Sequence, residues 1–188
     1  LSADIATLDA GSWFGEEFKG QRVLRLEVLL RKAKQNGLKL TLDYRSGDFG
    51  QVLGLVRREG MLENCTFTLW SDKQAKAFRE AAPEVRTLQA YVGGGAELDK
   101  VIAEINPNIA VIRIDSLDEH LVERCHKKGL RVLALALGTD NVEESDRKAI
   151  ELGVDVLATD RPELFVKKYR PEHTWKEGND EGKEMIYK

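Results

Sequence analysis

The chain has 188 residues, 42% of them hydrophobic and 32% charged, with a formal net charge of −3. That is enough for one domain with a real core, and it is ordinary for a soluble globular protein. Acidic and basic residues are interspersed, which argues against a nucleic-acid surface built on a clustered basic face, and no apolar run approaches the roughly 20 residues of a membrane span.

The first residue is Leu1 rather than Met, which reads as a chain processed or cut from something longer. No signal peptide is visible, so a soluble, cytoplasmic protein is expected over a secreted one. The run "LDAGSWF" (8–14) is turn-like and delivers two aromatics, Trp13 and Phe14, with only seven residues before it. A helix follows over 25–37, ending in Gly37, and then "LKLTLDYR" (38–45) reads as a strand. From there strand and helix alternate. Helical spacing is predicted over 48–61, a strand over 65–71, a helix over 72–83 stopped by Pro83, a strand over 85–92, a helix over 96–107, and a strand over 109–115. A helix over 118–129 has Gly129 at its expected C-terminal stop. A strand over 130–137, a helix over 142–153, a strand over 154–160 and a helix over 161–170 complete the series, and residues 171–188 read as a polar tail. Cys65 and Cys125 form no CxxC motif and are expected as free thiols in or near the core.

Six strand–helix units imply parallel pairing through right-handed crossovers. The near-continuous apolar runs "VLALAL" and "IAVI" suit strands covered on both faces. A doubly wound sheet could take six units. A complete (β/α)₈ barrel needs two more and about 250 residues, and an arc of a barrel leaves two unpaired edges, so an oligomer or a partner strand is expected to cover them.

Three stretches decide between these. "LDAGSWFGEEFKGQRVLRLEVLLRKAKQNGLKLTLDYR", "VLGLVRREGMLENCTFTLWSDKQAKAFREAAPEVRT" and "HKKGLRVLALALGTDNVEESDRKAIELGVDVLATDRPELF" together resemble the glycerophosphodiester phosphodiesterase family, over roughly residues 4–170. The resemblance implies a TIM-barrel-like α/β fold with about six of the eight units in this chain, a partial barrel over 1–170. It implies metal-dependent hydrolysis of a glycerophosphodiester-like small molecule, with Mg²⁺ or Ca²⁺ as the divalent cation. In the family, "LDAGSWF" follows two strands bearing a His-Arg-Gly start, a Pro-Glu-Asn-Thr turn, a Glu-x-Asp pair and a second His. None of these occurs here, and the only histidines are His120, His126 and His173, all read as surface residues. No catalytic residue is therefore assigned, the chain alone is expected to be inactive, and a non-catalytic binding or assembly module is the alternative.

Chemistry in such barrels sits at the C-terminal ends of the strands. By the resemblance, Asp43 matches a metal-binding carboxylate at the end of its strand, where a hard cation wants oxygen ligands. Arg45 stands where the family usually has Lys, and either meets a phosphate or pairs with Asp43 or Asp48. Trp70 and Tyr91 end the next two strands and either line a pocket for the substrate's alcohol part or belong to the core. Arg113 and Asp115 share one face of their strand and are read chiefly as a pair. Leu135 and Ala136 are apolar where the family usually places a polar group. Asp160 and Glu163 form the pattern of a capping box for the last helix. The loop "YVGGGAE" (91–97) has the place of an anion-binding turn but lacks the Lys-Ser/Thr of a P-loop, and reads as a plain connection.

Overall fold

A computed structural model describes residues 2–69, 71–139 and 141–169. A single helical turn, α1 (Ser2–Ile5), and the helix α2 (Leu26–Gln35) come first. Strands β1 (Leu40–Asp43), β2 (Cys65–Thr68), β3 (Leu88–Tyr91), β4 (Ile109–Arg113), β5 (Arg131–Ala136) and β6 (Val156–Thr159) then lie side by side in chain order, all parallel. The helices α3 (Phe49–Arg58), α4 (Asp72–Ala81), α5 (Leu98–Ile105), α6 (Glu119–Lys127), α7 (Val142–Glu151) and α8 (Pro162–Tyr169) follow the strands in turn.

The strictly sequential order excludes the doubly wound alternative. That fold reverses direction part-way to place helices on both faces. Here every crossover runs the same way, and right-handed connections stack the helices on one face. The packing agrees. Leu40, Leu42, Cys65, Phe67 and Leu88 alternate along β1–β3 and pack against α2–α4, with Leu30, Leu53, Val56 and Phe78 among the buried partners. Ala110, Ile112, Val132 and Ala134 do the same on β4 and β5, against Leu98, Leu121, Val122 and Ala149. The strand positions between these point to the other, concave face, as the period of two requires. There Ile109, Val111 and Leu133 form a small cluster of their own, with Leu135 and Ala158 packed on it. The result is an arc of a parallel (β/α) barrel, with β1 and β6 as its edge strands.

The helices start where short polar side chains can take an orphan amide. Asp48 accepts from the Gln51 amide at 3.2 Å, Asp118 from Leu121 at 2.7 Å and Asn141 from Glu144 at 3.2 Å. Gly129 and Gly153, with φ of +75° and +66°, end α6 and α7 in the left-handed conformation expected after a helix. The regular elements are up to three residues shorter at an end than the sequence pattern suggested: β1 occupies Leu40–Asp43 of the predicted 38–45, and β3 Leu88–Tyr91 of 85–92. One assignment changes. Asp160 does not serve α8, which begins at Pro162. Its carboxylate accepts the Gly138 amide at 2.7 Å and ties the turn after β5 to the end of β6.

The segment 8–20 holds itself together. Asp9 takes the amides of Gly11, Ser12 and Gly20 at 2.9, 2.8 and 2.7 Å, and the Ser12 hydroxyl at 2.9 Å. Gly11 is required: a Cβ there would lie 1.9 Å from the Phe18 carbonyl oxygen. Trp13, Phe14 and Phe18 stack edge to face, with centroids 5.6 and 5.2 Å apart, and Trp13 remains 81% exposed. Cys65 and Cys125 are free and buried, and burial raises both thiols, Cys65 to about 11. Among the described residues no helix is long and apolar enough to cross a membrane. The polar tail expected over 171–188 lies outside the described residues.

Candidate functional site

The C-terminal ends of β1–β6 form a rim, and the strand period decides what reaches it. On β1, Leu40 and Leu42 go to the helices, so Thr41 and Asp43 face the concave side. The chain then turns. Tyr44 packs its ring on Phe49, centroids 5.1 Å apart, and donates its hydroxyl to the Gly47 carbonyl. That turn brings Arg45 back onto Asp43: its Nε and Nη2 both donate to Oδ2, at 3.0 and 2.8 Å. Gln74 of α4 donates to the Arg45 carbonyl at 3.3 Å and fixes the backbone. Of the roles open to Arg45, the structure realises the ion pair with Asp43. Both side chains are largely exposed, so the pair is screened and fixes orientation more than it adds stability.

Next to Asp43 in register stands Thr68, and next to Thr68 stands Gln89. The Thr68 hydroxyl donates to the Gln89 Oε1 at 2.9 Å, and Gln89 is only 5% exposed. These two polar residues were missed in the sequence reading. The signal was there, since Thr66, Thr68 and Gln89 are polar residues alternating with apolar ones inside strands that are otherwise covered. Tyr91 ends β3, two residues beyond Gln89 on the same face, and is 43% exposed. On β4, Arg113 donates to Asp115 at 3.0 Å, as the shared face predicted. Trp70 lies outside the described residues.

The β5 part of the rim is apolar. Leu135 is half-buried with the concave cluster, Ala136 is buried on the helix side, and Leu137 is exposed. In the 91–97 loop, Glu97 accepts the Gly93 amide at 3.1 Å, so that amide serves the loop's own carboxylate. His120 stands exposed on the first turn of α6. His126 lies at that helix's far end, its Nε2 2.9 Å from the Asp155 Oδ2. Asp155 also accepts the Val132 amide at 2.7 Å, and despite its partial burial these bonds hold its carboxyl below the usual range.

A divalent cation of the Mg²⁺ or Ca²⁺ kind takes six or more oxygens. Among the described residues no three of the His, Cys, Asp and Glu side chains gather into a group that could hold a metal, and Asp43 is already engaged by a guanidinium. These residues do not by themselves make a divalent-cation site.

The sequence over residues 51–164, more than half of the chain, matches the model of the Glycerophosphoryl diester phosphodiesterase family. The chain belongs to that family. Its matched region runs from α3 into α8, after Asp43 and Arg45. Relatives extend the likeness. YhdW of Bacillus subtilis is 26% identical over 171 residues, 87% of this chain and 69% of its own length. The glycerophosphodiester phosphodiesterase of Caldanaerobacter subterraneus subsp. tengcongensis is 22% identical over 182 residues, 89% of this chain and 70% of its own. Among solved structures, a glycerophosphodiester phosphodiesterase from Agrobacterium tumefaciens superposes with a TM-score of 0.72 at 28% identity, covering 89% of this chain and 71% of that one. An Oleispira antarctica phosphodiesterase, solved with its product sn-glycerol-3-phosphate, shares the fold at 19% identity with a TM-score of 0.73, over 89% of this chain and 69% of its own. The partial-barrel fold expected from the sequence is thus confirmed.

Proposed function

We propose that the chain is built for hydrolysis of glycerophosphodiesters and that its rim supplies the phosphate-binding side of that reaction. The observation that carries this reading is the Asp43–Arg45 couple at the end of β1 in a barrel of this family. A guanidinium offers a planar fork that fits two phosphate oxygens at once. Arg45, turned toward the concave side by its own carboxylate, is oriented for that contact, and Arg113 is held by Asp115 in the same manner. Tyr91 flanks the alcohol part of the substrate, the part that the family resemblance also gives Trp70. By the family resemblance, Asp43 has the place of one carboxylate ligand to a divalent cation.

Breaking a phosphodiester at neutral pH requires a proton to reach the leaving oxygen and another to leave the attacking one. Of the two described histidines, His126 is bound to Asp155 and His120 stands on an exposed helix turn. In this reading these 188 residues bind the diester without turning it over. The two edge strands are covered by a second copy or a partner segment, and the protein works in the cytoplasm, where its two free, buried thiols remain reduced. A non-catalytic binding module is favoured by one observation, the apolar Leu135 and Leu137 on the β5 part of the rim.

Calorimetric titration with glycerophosphocholine tests the assignment. Saturable binding that weakens about tenfold in Arg45→Ala, the order expected for loss of one charge-assisted contact, supports it. Binding indifferent to both Arg45→Ala and Arg113→Ala refutes it.

A further inference from the structure

The opposite end of the strands carries a second, unrelated feature. A cavity of about 590 Å³ lies between α4 and α5 and the segments leading into β3 and β4. Lys76, Arg79 and Arg86 line it, together with the carboxylates Glu80 and Glu104. Three cations against two carboxylates leave the lining net positive. Among the described residues none of the five makes an ion pair.

Arg79 is the centre of the cavity wall. Its Nη1 donates to the Val85 carbonyl at 2.8 Å, and its Nη2 to the Asn106 carbonyl at 2.6 Å and the Asn108 Oδ1 at 2.9 Å. Asn108 in turn accepts the Leu88 amide at 3.2 Å, and Asn106 turns the chain with a φ of +48°. All three acceptors are neutral, so the guanidinium charge is uncompensated. Its Nε is buried and has no hydrogen-bond partner. Burial, with the nearby Arg86 cation as a second cause, makes the Arg79 guanidinium easier to deprotonate than usual. A partly buried charge with a like charge beside it and an orphan donor is costly unless a counter-ion meets it.

We propose that this cavity is an anion site, separate from the rim, that takes a phosphate or a small phosphomonoester between Arg79 and Arg86. One phosphate oxygen meets the Arg79 guanidinium where it lines the cavity and offsets its charge, and a second takes the Arg86 fork. Lys76, three residues before Arg79 on α4 and so on the same helix face, adds a third positive group. The volume leaves room for a small organic substituent on the phosphate. Because Arg79 also fastens the segments before β3 and β4, occupancy stiffens the base of the barrel.

The test uses the full chain and inorganic phosphate at constant ionic strength, with chloride as the balancing salt. The ¹⁵N-detected Nε–H resonance of Arg79 is followed through the titration. A saturable shift is expected, weakened at least about tenfold in Arg86→Gln and unchanged in Arg45→Ala. Arg86 is exposed and has no bond to lose, so its variant folds. Lys76→Gln is expected to weaken binding to a lesser degree. A shift that fails to saturate, an Arg86→Gln variant with unaltered affinity, or a site lost in Arg45→Ala overturns the proposal.

Discussion

Thr68 and Gln89 face each other across the β2–β3 pair, hydroxyl to carboxamide at 2.9 Å, on the concave side of the sheet. Gln89 has almost no access to water there, and its register neighbour on the far side is Ile109. The bond therefore closes the polar half of the concave face against the apolar half. Thr68→Val leaves the Gln89 oxygen buried without a donor and is expected to cost about 1–3 kcal/mol in urea unfolding. The double variant Thr68→Val/Gln89→Leu removes both partners and is expected to cost less than the sum of the two single changes. Strict additivity would show that the bond contributes nothing of its own.

The helix-side core makes a different prediction. Phe78 of α4 touches both Phe67 of β2 and Phe49 of α3, with centroids 5.0 and 4.9 Å apart, and is fully buried. Phe78→Ala opens a cavity where three elements meet, and a loss of about 3–5 kcal/mol is expected. A loss below about 1 kcal/mol in chemical denaturation would mean that this cluster is not packed as described.

Much of this was legible in the sequence because each unit repeats one set of local signals. Asp48, Asp118 and Asn141 open helices, glycines such as Gly129 and Gly153 end them, and the apolar runs between them make strands. The sequential strand order and the single helix face follow from handedness. The ends of the strands were less legible, since Leu38 and Leu130 continue the apolar pattern before the ladder begins. Asp160 fitted a local capping pattern, but the Gly138 amide, 22 residues away in the chain, claims its carboxylate. Gln89 was overlooked because a polar residue inside a strand carries no local mark of the partner that satisfies it. The choice between the two roles of Arg45 depended on the turn geometry set by Tyr44 and Phe49, which spacing does not encode.

The Asp9 clamp gives a pH prediction. Its bonds to the Ser12, Gly11 and Gly20 amides lower the carboxyl well below its ordinary value near 3.8. A group whose pKa is depressed by folding contributes order that is fully present above the ordinary value and is lost as pH falls toward the depressed one. The Gly11, Ser12 and Gly20 amides should remain protected from hydrogen exchange down to about pH 4 and lose that protection only in stronger acid. Asp9→Asn should remove the acid dependence. Loss of protection already between pH 5 and 6 would contradict the clamp.

The N-cap of α6 offers a smaller check. Asp118 accepts the Leu121 amide at 2.7 Å, and Asp118→Ala is expected to cost about 1 kcal/mol. Asp118→Asn should restore most of it. Equal losses in the two variants would point to a role other than capping.

The most direct measurement is phosphodiesterase activity of the purified 188-residue chain. Glycerophosphocholine is supplied with Mg²⁺ or Ca²⁺, and release of glycerol 3-phosphate is followed with a coupled enzyme. A rim that carries Arg45, Arg113 and Tyr91 but draws no histidine pair from the described residues predicts diester binding and no release above the buffer rate. Divalent-cation-dependent release by this chain alone, abolished in Asp43→Ala, would contradict the account.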